Sequence, residues 1–240
     1  MHEEIQTLLA SLQNKKSYVK GMRTYYTGNL FDKSIVLVFS RWGKVASSTT
    51  VTQLINDFNI DEIIFTGVGG SIHENINIGD IVIGKNLVQH DMNAHPILQT
   101  FEIPLLEKTF FETDNIRRKK ILNAANQFLD NFNEYISKNE QEIFSIYNPK
   151  IVVDDIASGD QFISTSQQIN FIKTNLPTVG CVEMEGAAVA QVCFEYKIPF
   201  SIIRTISDKA NDNSHIDFPL FAKEIASKYA LGILKYYIKS

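Results

Sequence analysis

The run Val182-Glu183-Met184-Glu185-Gly186, continued by Ala187, Ala188 and Ala190, restricts the fold more than any other stretch of the chain. An apolar approach from Pro177 to Val182 reads as a strand. Met184 to Tyr196 reads as a helix whose small residues let it lie close on a sheet, with Val189, Val192 and Cys193 as apolar contacts. The two acids at this junction have two readings. Carboxylates in a first helical turn match the positive end of the helix dipole. Equally, a strand-to-helix junction is where an open α/β sheet presents a polar site.

The rest of the chain supplies partners for that unit. Glu62 to Phe65, Ile81 to Gly84 (continuing through Asn86 to Gln89), Lys150 to Asp154 and Pro199 to Ser207 read as strands. Val45 to Phe58, Asn115 to Phe132 and Phe218 to Ile238 carry helical spacing, as does His2 to Leu12. A hairpin is expected with its first strand at Tyr25 to Thr27, its turn at Gly28-Asn29 and a buried second strand at Ser34 to Ser40. Thr66-Gly67-Val68-Gly69-Gly70-Ser71 is expected to break the strand before it, either as a plain tight turn or as a cradle of amides for a polar group. It fits neither a Walker loop nor a dinucleotide fingerprint.

His90 to Lys108 reads as a long loop and Asn133 to Pro149 as a polar, aperiodic stretch. His90, Asp91 and His95 are taken as part of a surface loop, because no further ligand stands at a metal-site spacing. Ala157 to Ile163 reads as a turn-rich loop, in which Phe162 is either core or an aromatic face for a base. Asp208, at a strand's end, is either a cap or an acid for chemistry. No repeat or linker divides residues 1–240, so a single domain is expected.

Composition excludes several classes. A net charge of −4 offers no footprint for nucleic acid, and the basic run Arg117 to Lys120 falls on an amphipathic helix as a solvated face. Two cysteines make neither a disulfide framework nor a zinc cage, which fits a reduced, cytoplasmic protein. No apolar run is long enough to cross a bilayer, and the acidic start is unlike a signal peptide.

Val-Glu-Met-Glu at 182–185, Arg204-Thr205-Ile206-Ser207-Asp208, Ser158-Gly159-Asp160-Gln161-Phe162-Ile163 and Met1-His2-Glu3-Glu4 occur together over nearly the whole chain. In this combination the sequence resembles the purine nucleoside phosphorylase superfamily, and within it the 5′-methylthioadenosine/S-adenosylhomocysteine nucleosidases. The resemblance implies a three-layer α/β/α fold with a mixed central sheet, a homodimer, no metal and no organic cofactor. It implies hydrolysis of an N-glycosidic bond, releasing adenine. By position in the motifs, Glu4 would be the general base, Asp208 the acid serving adenine, and Arg204 a neighbour of the attacking water. Phe162 and Ile163 would hold the base, and Met184 and Glu185 the ribose. Phe218, in Ser214-His215-x-x-Phe218, would cover the 5′ side, with Glu183, Gly67, Val68 and Ser207 completing the substrate site.

Departures from the pattern keep other readings open. Val68 stands where the family has a serine that helps place water, Ser71 replaces a glycine, and Arg41 replaces the first glycine of Ser-Gly-x-Gly-Lys. The family also runs a strand ahead of its acidic motif, whereas this chain opens on it, which would leave Glu4 on a frayed end. Phosphate-dependent phosphorolysis, cleavage of AMP with help from Arg41 or Lys44, and nucleoside binding without turnover are the alternatives.

Overall fold

The computed structural model describes residues 2–210 and 220–240. A 3-10 turn, His2–Ile5, runs into helix α1 (Gln6–Ser11). An antiparallel sheet of β1 (Gln13–Lys20), β2 (Arg23–Leu30) and β3 (Lys33–Val38) follows. Here the structure corrects the expected hairpin. Gly28 and Asn29 lie inside β2, and the turn is Phe31-Asp32, whose φ angles of 48° and 65° suit a two-residue hairpin loop. Gly28 answers to close approach instead: a Cβ there would sit 2.5 Å from the Gln13 carbonyl oxygen. Strand β1 escaped the sequence reading because it is polar and exposed, an edge guarded by Lys15, Lys16 and Lys20. β3 is half-buried and belongs to this small sheet rather than the central one.

The central sheet has six strands in the order β6-β5-β7-β8-β4-β9: β4 (Ile63–Ser71), β5 (Ile81–Gln89), β6 (Phe110–Glu112), β7 (Ile151–Ser158), β8 (Val179–Glu183) and β9 (Phe200–Asp208). Parallel pairs (β4 with β9, β5 with β7, β7 with β8) mix with antiparallel ones (β4 with β8, β5 with β6). β5 also pairs with β9, so the sheet curls round on itself. Helices α2 (Lys44–Phe58) and α7 (Gly186–Tyr196) pack together on one side over Val51, Val189, Ala190 and Ile202. On the other side α3 (Asn115–Asp130) packs with α8 (Ser227–Lys239) around Ile81, Ile83, Phe128 and Tyr229. The fold is the three-layer α/β/α arrangement with a mixed sheet.

Further differences from the sequence reading have local causes. The glycine run is not a loop: β4 continues through it to Ser71, pairing with β9. Asn133 to Pro149 holds two short helices, α4 (Phe132–Tyr135) and α5 (Lys138–Ile143), the second started by a capping box of Ser137 and Glu140. β7 runs on past Asp154 to absorb Ala157 and Ser158. A further helix, α6 (Ser166–Asn175), follows the Phe162 loop. Helix α8 is preceded by a π-helical turn, Ala222–Ala226. His90 is buried at the end of β5 rather than on the surface. The basic run on α3 is not simply solvated, since Arg117 bridges to Glu62 at 2.8 Å and Lys120 sits over the Tyr237 ring.

Candidate active site

Strands β4, β8 and β9 end around a cavity of about 430 Å³, closed by the N-terminal segment and by the loops at 39–42 and 161–163. Its walls carry Glu4, Phe162, Glu185, Arg204 and Asp208. The glycines of β4 make this convergence possible. A Cβ on Gly67 would stand 3.2 Å from Arg204 Nη1 and 3.4 Å from Glu4 Oε1, and one on Gly69 would stand 2.6 Å from Cys181 Sγ. Bare backbone at these positions lets β9, β8 and the N-terminal segment close on one space.

Glu183 and Arg204 form its buried floor. Arg204 Nη2 donates to Glu183 Oε2 at 2.5 Å, with both side chains almost fully enclosed. Glu183 also accepts from the Ser158 hydroxyl and from the backbone N–H groups of Glu185 (3.0 Å) and Gly186 (2.8 Å to Oε2). Burial alone would raise its pKa, but the Arg204 guanidinium and these donors hold it below the usual carboxylate range. It thus caps the N-terminus of α7, matching the dipole reading, while both oxygens are engaged by protein groups. The Arg204 guanidinium lies 4.5 Å from the Phe65 ring centroid, Nη1 donates to the Ile203 carbonyl, and Nε is buried with no partner among the described residues.

Glu185, two residues on, has the opposite character. Burial, then the neighbouring Glu183 charge, pushes its pKa up to about 7. Its Oε1 accepts from the Gly43 N–H at 2.9 Å, which ties the Ser40–Lys44 loop to the start of α7. Asp160 Oδ1 takes the next amide, that of Lys44, at 2.8 Å. Lys44 Nζ is itself engaged by Asp91 (2.6 Å) and Gln89 (3.2 Å).

Asp208 is 4 % exposed and accepts from the Ala210 N–H at 2.7 Å on one oxygen. The Ser207 hydroxyl lies 2.8 Å from the other and 3.4 Å from the Gly69 carbonyl oxygen. Gly67, Val68, Ile163, Met184 and Ser207 line the same cavity. Phe162 is 43 % exposed, so it is not core. Glu4 lies on the cavity wall, beside Ile5 and Leu8. Phe218, with Ser214 and His215, lies outside the described residues.

Two parts of the site were not foreseen. Ser158 was noted only as part of a motif, yet it bonds Glu183 and accepts the Ala187 N–H at 2.7 Å. The Gly43 amide is equally central, and a glycine after Arg-Trp gives no hint of an acid 142 positions away. The group His90, Asp91 and His95 is split by the fold: His90 is buried, Asp91 is paired with Lys44, and His95 is exposed.

Comparison with known proteins agrees with this fold. The model of the phosphorylase superfamily matches residues 1–239. A 5′-methylthioadenosine/S-adenosylhomocysteine nucleosidase of Staphylococcus epidermidis is 34% identical over 94% of this chain and 91% of its own. The structure of the S. pneumoniae nucleosidase with a transition-state inhibitor superposes with a TM-score of 0.81 and 32% identity, covering 99% of this chain and 95% of that one. Futalosine hydrolase of Helicobacter pylori gives a TM-score of 0.84 at 28% identity, covering 100% and 94%. Matched along nearly its whole length, the chain belongs to the phosphorylase superfamily and, within it, to the 5′-methylthioadenosine/S-adenosylhomocysteine nucleosidases.

Proposed function

We propose that this protein hydrolyses the N-glycosidic bond of 5′-methylthioadenosine and S-adenosylhomocysteine, releasing adenine and a thioribose product. The observation that carries the reading is one cavity holding an aromatic ring, Phe162, together with the carboxylates Glu185, Asp208 and Glu4. Breaking this bond builds positive charge on the sugar and negative charge on the departing base. Asp208, protonated, donates to the imidazole nitrogen of adenine so that a neutral base leaves. The Ser207 hydroxyl suits both states of Asp208, donating to its carboxylate or turning to the Gly69 carbonyl and accepting from the acid.

Glu185 binds the ribose hydroxyls, with Met184 against the sugar, and its grip tightens as oxocarbenium character grows. Glu4 takes the proton of the attacking water. Arg204 Nη1 and Glu4 Oε1 both lie beside Gly67, so the guanidinium borders the place where that water is activated. Glu183 acts through Arg204 and the first amides of α7 as a positioning residue. Phe162 stacks on adenine, and the Ile163 backbone faces its edge.

We further propose a cytoplasmic homodimer acting in methionine salvage. Ile97, 87 % exposed on the His90 to Phe101 stretch, supports a role for that stretch in closing the partner's cavity.

The test is adenine release from 5′-methylthioadenosine, with and without phosphate, by wild type and Asp208→Asn. Phosphate-independent release that falls by at least about 100-fold in the variant supports hydrolysis with Asp208 as the acid. Strict dependence on phosphate overturns it in favour of phosphorolysis.

A further inference from the structure

Among the described residues, the cavity is lined by four carboxylates, Glu4, Glu183, Glu185 and Asp208, and two cations, Arg41 and Arg204. Arg204 is taken up by Glu183. Among the described residues the Arg41 guanidinium has no carboxylate partner, although Lys44, three positions on, is paired with Asp91. Arg41 also stands at φ 67°, a conformation that an L residue adopts at some cost and glycine adopts freely.

The loop carrying it is anchored on both sides. Thr50 Oγ1 donates to the Ser40 carbonyl at 2.9 Å, and the Gly43 N–H donates to Glu185 at 2.9 Å. That second bond ties the loop that carries Arg41, itself exposed, to the carboxylate assigned to the ribose. With the ribose placed at Glu185 as proposed above, the loop that carries Arg41 is part of the wall around the sugar. Among the described residues lining the cavity, the carboxylates repel an anionic substituent, and Arg41 is the cation that no carboxylate takes up.

We propose that Arg41 is a specificity-determining residue that favours nucleosides whose 5′ substituent ends in a carboxylate over those with a neutral one. This rests on the hydrolase reading above. A guanidinium on an exposed rim gives a moderate charge-assisted contact, worth about three- to tenfold in selectivity.

The test compares kcat/KM for the 5′-carboxypropylthio analogue of 5′-deoxyadenosine and for its primary amide, which differ in charge and hardly in shape. Wild type is expected to prefer the acid. Arg41→Gln should reduce the acid-to-amide ratio about three- to tenfold, Arg41→Lys should keep part of it, and about 0.5 M salt should shrink it in wild type. An unchanged ratio in Arg41→Gln overturns the proposal. So does Arg41-dependent cleavage of AMP or stimulation by inorganic phosphate without any acid preference, since the anion is then phosphate. If neither analogue nor 5′-methylthioadenosine releases adenine, the hydrolase reading fails. Calorimetric binding of acid and amide then still decides whether Arg41 discriminates between them.

Discussion

Glu183 and Glu185 stand two positions apart and are pushed in opposite directions because their partners differ. Glu183 has a guanidinium and three further donors, whereas Glu185 has one amide and a like charge beside it. Removing the charge of Glu183 leaves Arg204 buried and uncompensated. Glu183→Gln is therefore expected to destabilise the fold by about 3–5 kcal/mol, read as a shift in the urea midpoint. Adding Arg204→Met to that variant should restore most of the loss, because an apolar side chain of similar length needs no counter-charge. If the double variant is no more stable than the single one, the pair is not what holds this floor. At this scale much of the site was legible. Acids beside a methionine at a strand-to-helix junction and an Arg-x-x-Ser-Asp end to a strand mark where the side chains go. What could not be read was which acid would be neutralised internally. That depends on Ser158 and Arg204 arriving from other strands.

Strand β4 shows how an element is misread when its glycines are taken as punctuation. Sequence alone offers turn or cradle for Thr66 to Ser71, since glycine's usual use is conformational freedom. Here the glycines serve contact distance within an extended strand, and only the neighbouring strands reveal it. At Gly69 the nearest atom to a new Cβ is Cys181 Sγ at 2.6 Å, followed by the Val182 carbonyl oxygen at 3.1 Å. Gly69→Ala should accordingly cost about 1–3 kcal/mol by overpacking β4 against β8, measured by chemical denaturation. Cys181→Ala removes the closer obstacle, so the double variant should recover part of that cost. The backbone contact remains, and recovery should be incomplete. Strictly additive effects would mean the strain lies elsewhere. The same blindness produced the misplaced hairpin, where Gly28 is a contact residue of β2 and the true turn uses Phe31 and Asp32. The long buried strands β5 and β9 and helices α2 and α7 were legible because unbroken apolar runs and small-residue faces have few alternative uses.

At the scale of the whole molecule, two groups of the cavity region, half-buried Glu185 and buried His90, give its stability opposing responses to pH. Glu185 has a folded-state pKa of about 7 against an ordinary 4.5. Between those values the folded chain holds a proton that the unfolded chain releases, so this group's contribution falls as pH rises from about 4.5 to 7. His90 is lowered from 6.5, chiefly by burial, with Asp91 and Glu183 opposing that shift and Lys44 adding to it. Its Nε2 lies 2.4 Å from where a Cβ of Gly159 would be and has no hydrogen-bond partner among the described residues. Below pH 6.5 the unfolded chain takes up a proton there that the folded chain resists, so this contribution is lost as pH falls. Denaturation of wild type, Glu185→Gln and His90→Gln from pH 5 to 8 separates the two. Glu185→Gln should gain on wild type as pH rises, with the gain greatest at pH 8, although it removes the carboxylate proposed to hold the ribose. His90→Gln should gain on wild type as pH falls, with the gain greatest at pH 5. Groups common to all three proteins cancel in these differences, so two differences of the same sign in slope would show that one of the two burials has been misjudged. With slopes opposed as expected, the two contributions partly cancel in wild type. The stability given up by keeping Glu185 in the cavity is then greatest above neutral pH, where the ionised form proposed to hold the sugar prevails.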